Sequence, residues 1–178
     1  MADFVKFHFD NTFYDEPMSF PPFNIVQVGD IDTYSGFKCT KHIQIAHEIT
    51  YIVRGNGTML CDDKTHFCKT GDIIFNPKGT AHAIDSADGH SLRYYYIAFD
   101  IPDTSNECEK ALAEFFSSAK AGCMTADRSI PHTFHDIFLN LYGKDNFSSV
   151  IVTDSIRKLL IYVLRSLSGE ANRVYVPD

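Results

Sequence analysis

Residues 42–57 read HIQIAHEITYIVRGNG and residues 71–82 read GDIIFNPKGTAH. With Gly36 ahead of them, these stretches form two spaced sets: Gly36, His42, Gln44, Glu48 and Gly55, then Gly71, Pro77, Gly79 and His82. Glycine admits backbone conformations that other residues avoid, and proline presets a turn, so both sets punctuate the chain with reversals. Between the reversals they leave four side chains able to converge.

Outward from this core, short apolar runs alternate with turn signals, the pattern of an antiparallel sandwich or barrel. The runs are Ile25–Val28, Ile49–Val53, Thr58–Cys61, His66–Lys69, Ile73–Phe75, Ala81–Ile84 and Leu92–Phe99. Gly55-Asn56-Gly57 suits a tight reversal and Asp62-Asp63-Lys64 a hairpin loop. Pro77-Lys78-Gly79 fits a turn with proline at its second position. Roughly seven or eight short strands between Asn24 and Asp100 predict a β-barrel or jelly roll.

The flanks differ. Residues 1–23 carry Phe4, Phe7, Phe9, Phe13, Phe20, Pro21, Pro22 and Phe23 without a steady period, as expected of an extended arm that packs its rings on a neighbouring surface. Residues 24–103 form the barrel region. From 104 to 178 the spacing turns helical. Phe134, Ile137, Phe138, Leu141 and Tyr142 make one apolar face, and a longer helix over 148–168 carries Val152, Ile156, Leu159, Val163 and Leu167, widened by Leu160 and Leu164. Gly169 is a natural stop. That stripe is wide enough to predict a homodimer interface at Ile156, Leu160, Val163, Leu164 and Leu167.

Composition closes off several function classes. A formal charge of −7 argues against these residues gripping a phosphate backbone. No apolar run approaches the roughly 18 residues of a membrane span, and Met1–Val5 lacks the pattern of a secretory signal, so a cytoplasmic location is expected. The five cysteines, Cys39, Cys61, Cys68, Cys108 and Cys123, form no C-x-x-C pair and read as buried thiols. Cys61 and Cys68 are candidates to face each other across a hairpin.

Two histidines and a carboxylate are the ligand types of many first-row metal sites, and His42, Glu48 and His82 supply them. Six residues of straight strand would separate His42 from Glu48 by about 20 Å, whereas ligands about 2 Å from one metal lie much closer together. The chain must therefore bend between Gln44 and Glu48. In the Leu92–Phe99 run, Tyr95, Ile97 and Phe99 share the more apolar face, which predicts that Tyr95 points into the barrel. A plainer reading leaves His82 as a core histidine and pairs Glu48 with Lys41 or Arg54 at the surface.

The two spaced sets resemble the first and second cupin motifs. Gln44 stands where metal-binding cupins carry a second histidine, and Ser86 stands at the closing asparagine of the second motif. Together with arm and helices, His42 to Gly57, Gly71 to His82 and Leu92 to Pro102 resemble the effector-sensing domain of AraC-family transcription regulators. The resemblance implies a mainly β fold, a cupin-type double-stranded β-helix followed by C-terminal α-helices. It also implies a homodimer, and DNA contact only through a helix-turn-helix module that a linker near Val176-Pro177-Asp178 would lead to.

Two functions of different class follow. A sensor would bind a small polar effector, a sugar or related metabolite, through His42, Gln44, Glu48, His82 and Tyr95, with no catalysis and no required cofactor. A stand-alone cupin enzyme, an oxygenase or isomerase, would hold a divalent metal on His42, Glu48 and His82.

Overall fold

The computed structural model describes residues 6–143, 145 and 147–169. The first five arm residues and the linker segment near Val176 lie outside the described residues. Among the described residues eleven strands and three helices follow in chain order: β1 Asp10–Thr12, β2 Met18–Phe20, β3 Phe23–Asp32, β4 His42–Ile43, β5 His47–Arg54, β6 Asn56–Cys61, β7 Lys64–Lys69, β8 Asp72–Asn76, β9 Ala81–Ser86, β10 Arg93–Asp100, α1 Glu107–Ser118, β11 Gly122–Thr125, α2 Ile130–Asn140 and α3 Ser148–Leu167.

The strands form two antiparallel sheets that do not close on each other. One has seven strands, in the order β1-β3-β10-β5-β8-β11 with β2 also paired to β3, and the other runs β4-β9-β6-β7. Every run read from the sequence between Asn24 and Asp100 is a strand. Gly55 adopts φ +91, and a Cβ there would lie 2.0 Å from the Ser91 carbonyl oxygen, so the β5–β6 reversal tolerates glycine alone. In the β6–β7 hairpin Cys61 lies opposite Lys64 and Cys68 opposite Gly57, so the two thiols do not face each other.

Two apolar layers result, because the seven-stranded sheet is covered on both faces. Ile52, Met59, Cys61, Cys68, Ile74 and Ile84 fill part of the space between the sheets. On the outer face Ile49, Ile73, Phe75, Tyr95, Ile97 and Phe99 pack under the helices. Strand β8 shows the consequence: all five of its residues are buried. The arm is part of this construction, since β1 and β2 pair with β3, and the rings of Phe7 and Phe9 meet Phe138 edge-on at 5.3 and 5.0 Å between centroids.

The helices correct one expectation. Ile156, Leu160 and Val163 are fully buried inside the protomer, and Leu164 and Leu167 are partly buried against the same core, so the predicted dimer stripe is an internal face. A wide stripe is needed here because α3 sits among α2, α1 and the strands β2 and β11 at once. Among the described residues of this region the exposed large apolar side chains are Leu139, Tyr142, Phe147, Val150 and Ile151. Helix α1, which the sequence reading did not resolve, is capped by Asn106, whose side-chain oxygen accepts from the backbone N–H groups of Cys108 and Glu109.

Candidate functional site

The bend required between Gln44 and Glu48 is present. Strand β4 pairs with β9 so that His42 stands opposite His82, with ring centroids 4.4 Å apart; the chain then turns and enters the other sheet as β5. Glu48, near the start of β5, faces the interior across from those histidines. His47 points the other way and stacks on Phe75, as alternation along a strand demands.

Glu48 is almost wholly buried and is held from four sides. Gln44 Nε2 donates to Oε2 at 2.5 Å, while Thr50 Oγ1 and Asn76 Nδ2 donate to Oε1 at 3.1 and 3.3 Å. His82 Nε2 lies 3.4 Å from Oε1, an ion pair with both side chains buried. Burial pushes the Glu48 carboxyl up, but the hydrogen bond and charge of His82, with Thr50 and Asn76, outweigh it and hold the group below its ordinary value. For His82 burial pushes down, and the Glu48 bond and charge outweigh that to raise it. The plainer surface pairing of Glu48 with Lys41 or Arg54 does not occur.

A pH dependence follows with a definite sign. The Glu48 contribution is present above its ordinary 4.5 and lost as pH falls through the lowered folded value. The His82 contribution is present below its ordinary 6.5 and lost as pH rises through the raised folded value. Thermal unfolding should therefore show the stability gap between the native chain and a Glu48→Gln, His82→Gln double variant widest at about pH 4.5–6.5. A gap that stays constant from pH 3 to pH 9, on the order of the full titration range, would refute the pairing.

These contacts bear on the metal expectation. The structure gathers His42, Glu48 and His82 around one cavity, yet both Glu48 oxygens are occupied by donors, and Gln44 turns its amide nitrogen toward Glu48 instead of offering an oxygen. The His42 ring nitrogen Nδ1 donates to the Thr40 carbonyl at 3.0 Å. Among the described residues no group of three His, Cys, Asp or Glu is arranged to hold a metal ion. The donor set as folded does not fit one.

The cavity beside the pair has a volume of about 420 Å³ and opens between the sheets. His42, Glu48, Thr50 and His82 line it, with Tyr94 and Tyr96 from β10, and Phe37, Met59 and Ile84 as apolar wall. Asp10 and Thr12 of the arm complete it, and the Tyr96 hydroxyl donates to Asp10 Oδ1.

Tyr95 requires correction. It faces the helices, fully buried, with its ring 5.1 Å from Phe138 and 5.8 Å from Phe134 between centroids, and takes no part in the cavity wall. The more apolar face of β10 is indeed buried, but beneath helices; the face with Tyr94 and Tyr96 looks into the space between the sheets. Gln44 likewise buttresses Glu48 without lining the cavity. Asp10, Thr12, Tyr94 and Tyr96 were not read from the sequence; for the tyrosines the available signal was the helical stripe in 130–167, which needed an apolar sheet face to rest on.

Comparison with known proteins bears on this site. The family model described as the AraC-like ligand binding domain matches residues 24–160. No curated protein matches. Among solved structures, apo ToxT from Vibrio cholerae superposes with a TM-score of 0.56 at 10% identity, covering 88% of this chain and 60% of that one. A cupin protein from Bacteroides fragilis gives 0.45 at 16% identity, covering 60% and 87%. A predicted oxalate decarboxylase from Thermotoga maritima gives 0.39 at 23% identity, covering 41% and 64%. The chain thus spans less than two thirds of the length of the first and last of these.

Proposed function

From the premise that this chain belongs to the family of AraC-like ligand binding domains, we propose that it senses a small polar effector, a sugar or related metabolite, in the cavity between its sheets, and performs no turnover. The observation that carries this is the composite wall of that cavity. Asp10 and Thr12 come from the arm, where β1 pairs with β3, while Phe37 and Cys39 come from the β3–β4 loop and the other lining residues from the body of the two sheets. A ligand touching both binds one placement of the arm better than another, and a difference in affinity is all that a switch requires. A tenfold preference supplies about 1.4 kcal/mol.

The output of the switch is DNA binding by a helix-turn-helix module outside this chain, in a cytoplasmic homodimer. No helix among the described residues is long and apolar enough to cross a membrane. Self-association uses the exposed residues Phe147, Val150 and Ile151, since the inner stripe of α3 is consumed by the core. No metal is required, because Glu48 is already satisfied by protein donors.

A thermal-shift screen of metabolites tests the sensing reading. A true effector at 100 times its dissociation constant stabilises by about 2.7 kcal/mol, or about 5–10 °C for a chain of this size. Met59→Trp fills the cavity from a buried wall position and should abolish those shifts. Tyr94→Phe, which removes one hydroxyl and keeps the ring, should weaken them without disturbing the fold. Shifts that survive both substitutions would place the effector elsewhere.

A further inference from the structure

The charge inventory of the cavity goes further than its size. Two carboxylates line it, Glu48 and Asp10, and among the described residues no lysine or arginine does. Glu48 is neutralised within the fold by His82 and hydrogen-bonded by Gln44, Thr50 and Asn76. Asp10 is not: it receives the Tyr96 hydroxyl on Oδ1, and its other oxygen has no partner among the described residues. One solvent-exposed carboxylate with no charged partner among the described residues therefore stands at the cavity wall.

The aromatic walls match that charge. The rings of Tyr94 and Tyr96 lie side by side on β10, with centroids 6.4 Å apart and planes inclined at 50°. Their electron-rich faces attract a cation within about 6 Å of a ring centre. The Tyr94 hydroxyl has no protein partner among the described residues and remains a donor for a ligand oxygen, while His42 supplies an imidazole at the same wall. A carboxylate or phosphate ligand would meet Asp10 with no lysine or arginine at the wall to offset the repulsion, the His82 imidazole being paired with Glu48.

We propose that the effector carries a protonated amine seated between Asp10 and the faces of Tyr94 and Tyr96, with hydroxyl groups directed to Tyr94 and His42: an aminated polyol, such as an amino sugar. This rests on the sensing reading above. It adds the charge of the ligand and names Asp10, an arm residue, as the specificity determinant. Because the ammonium would be held by the arm and the hydroxyls by the sheets, loss of the amine weakens the link between occupancy and arm placement.

Isothermal titration calorimetry with matched compounds tests it. Hexosamines and small aminated polyols are titrated beside their hydroxyl, N-acetyl and carboxylate counterparts. An amine is expected to bind at least about tenfold more tightly than its neutral counterpart, and more tightly still than its acid. Asp10→Asn should bring the amine to the level of the neutral compound; Asp15→Asn, which removes an exposed arm carboxylate away from the cavity, should leave the ratio unchanged. A neutral or acidic counterpart that binds as tightly as its amine, a preference that persists in Asp10→Asn, or failure of every amine at millimolar concentration would overturn the amine assignment. The sensing reading is judged separately: it stands if any bound compound is displaced by Met59→Trp, and falls if binding is indifferent to that substitution.

Discussion

Asp30→Ala is expected to destabilise the fold by about 3–5 kcal/mol, the usual cost of removing one partner from a buried ion pair. Asp30 on β3 and Arg93 on β10 are 1% and 5% exposed, and the guanidinium grips the carboxylate with two bonds, Nε to Oδ1 at 2.9 Å and Nη2 to Oδ2 at 2.8 Å. The same carboxylate accepts the backbone N–H of Phe7 at 2.7 Å, so its loss also loosens the arm. Arg93 reaches the Tyr95 hydroxyl at 3.3 Å, which does not replace a lost negative charge. Lys6–Asp32 nearby makes the contrast. Its lysine is 46% exposed, and a pair of that kind contributes about 0–1 kcal/mol. Urea unfolding of Asp30→Ala beside Lys6→Ala distinguishes the two; a loss below about 1 kcal/mol for Asp30→Ala would show that the buried pair is no stronger than a surface one.

Much of this architecture is legible in the sequence because turns are chemically specific. Gly55, Gly71 and Gly79 all adopt positive φ, at +91, +88 and +84, and they bound the strands that the apolar runs predict. The sidedness of β10 is less legible. Alternation tells which residues share a face, but a sheet covered on both sides has two interiors, and the more apolar one lies under the helices. Taking the more apolar face as the inner one therefore sends Tyr95 toward the cavity, whereas Tyr95 lies under the helices and Tyr94 and Tyr96 line the cavity.

Short elements escape for a different reason. Strand β1 has three residues, Asp10–Thr12, and its place is set by partners on β3 rather than by any periodicity of its own. Helix α1 buries Glu109, Leu112 and Phe116 out of twelve residues, too sparse a stripe to stand out. Gln44 was legible as a departure from a metal-binding set, yet its role as a donor to Glu48 depends on the bend that follows it. Residue type indicated the polar cluster; only the crossing of two sheets determined that Glu48 is met by hydrogen-bond donors.

Leu160→Asp should fail to give a folded protein, whereas Ile151→Asp should fold and change only association. Leu160 is fully buried in the layer shared by α3, its neighbouring helices and the large sheet. Truncating such a leucine to alanine alone costs about 2–5 kcal/mol, and a carboxylate placed there adds an unpaired buried charge. Together these approach the whole net stability of an ordinary domain, about 5–15 kcal/mol. Ile151 is 41% exposed on the same helix, so an aspartate there keeps its hydration and costs the protomer little. If the exposed residues of α3 form the proposed homodimer contact, light scattering will show Ile151→Asp as a folded monomer beside a dimeric native chain. A soluble Leu160→Asp with native circular dichroism would mean that the inner stripe is available for contact between copies, and the placement of the dimer surface on Phe147, Val150 and Ile151 would be wrong.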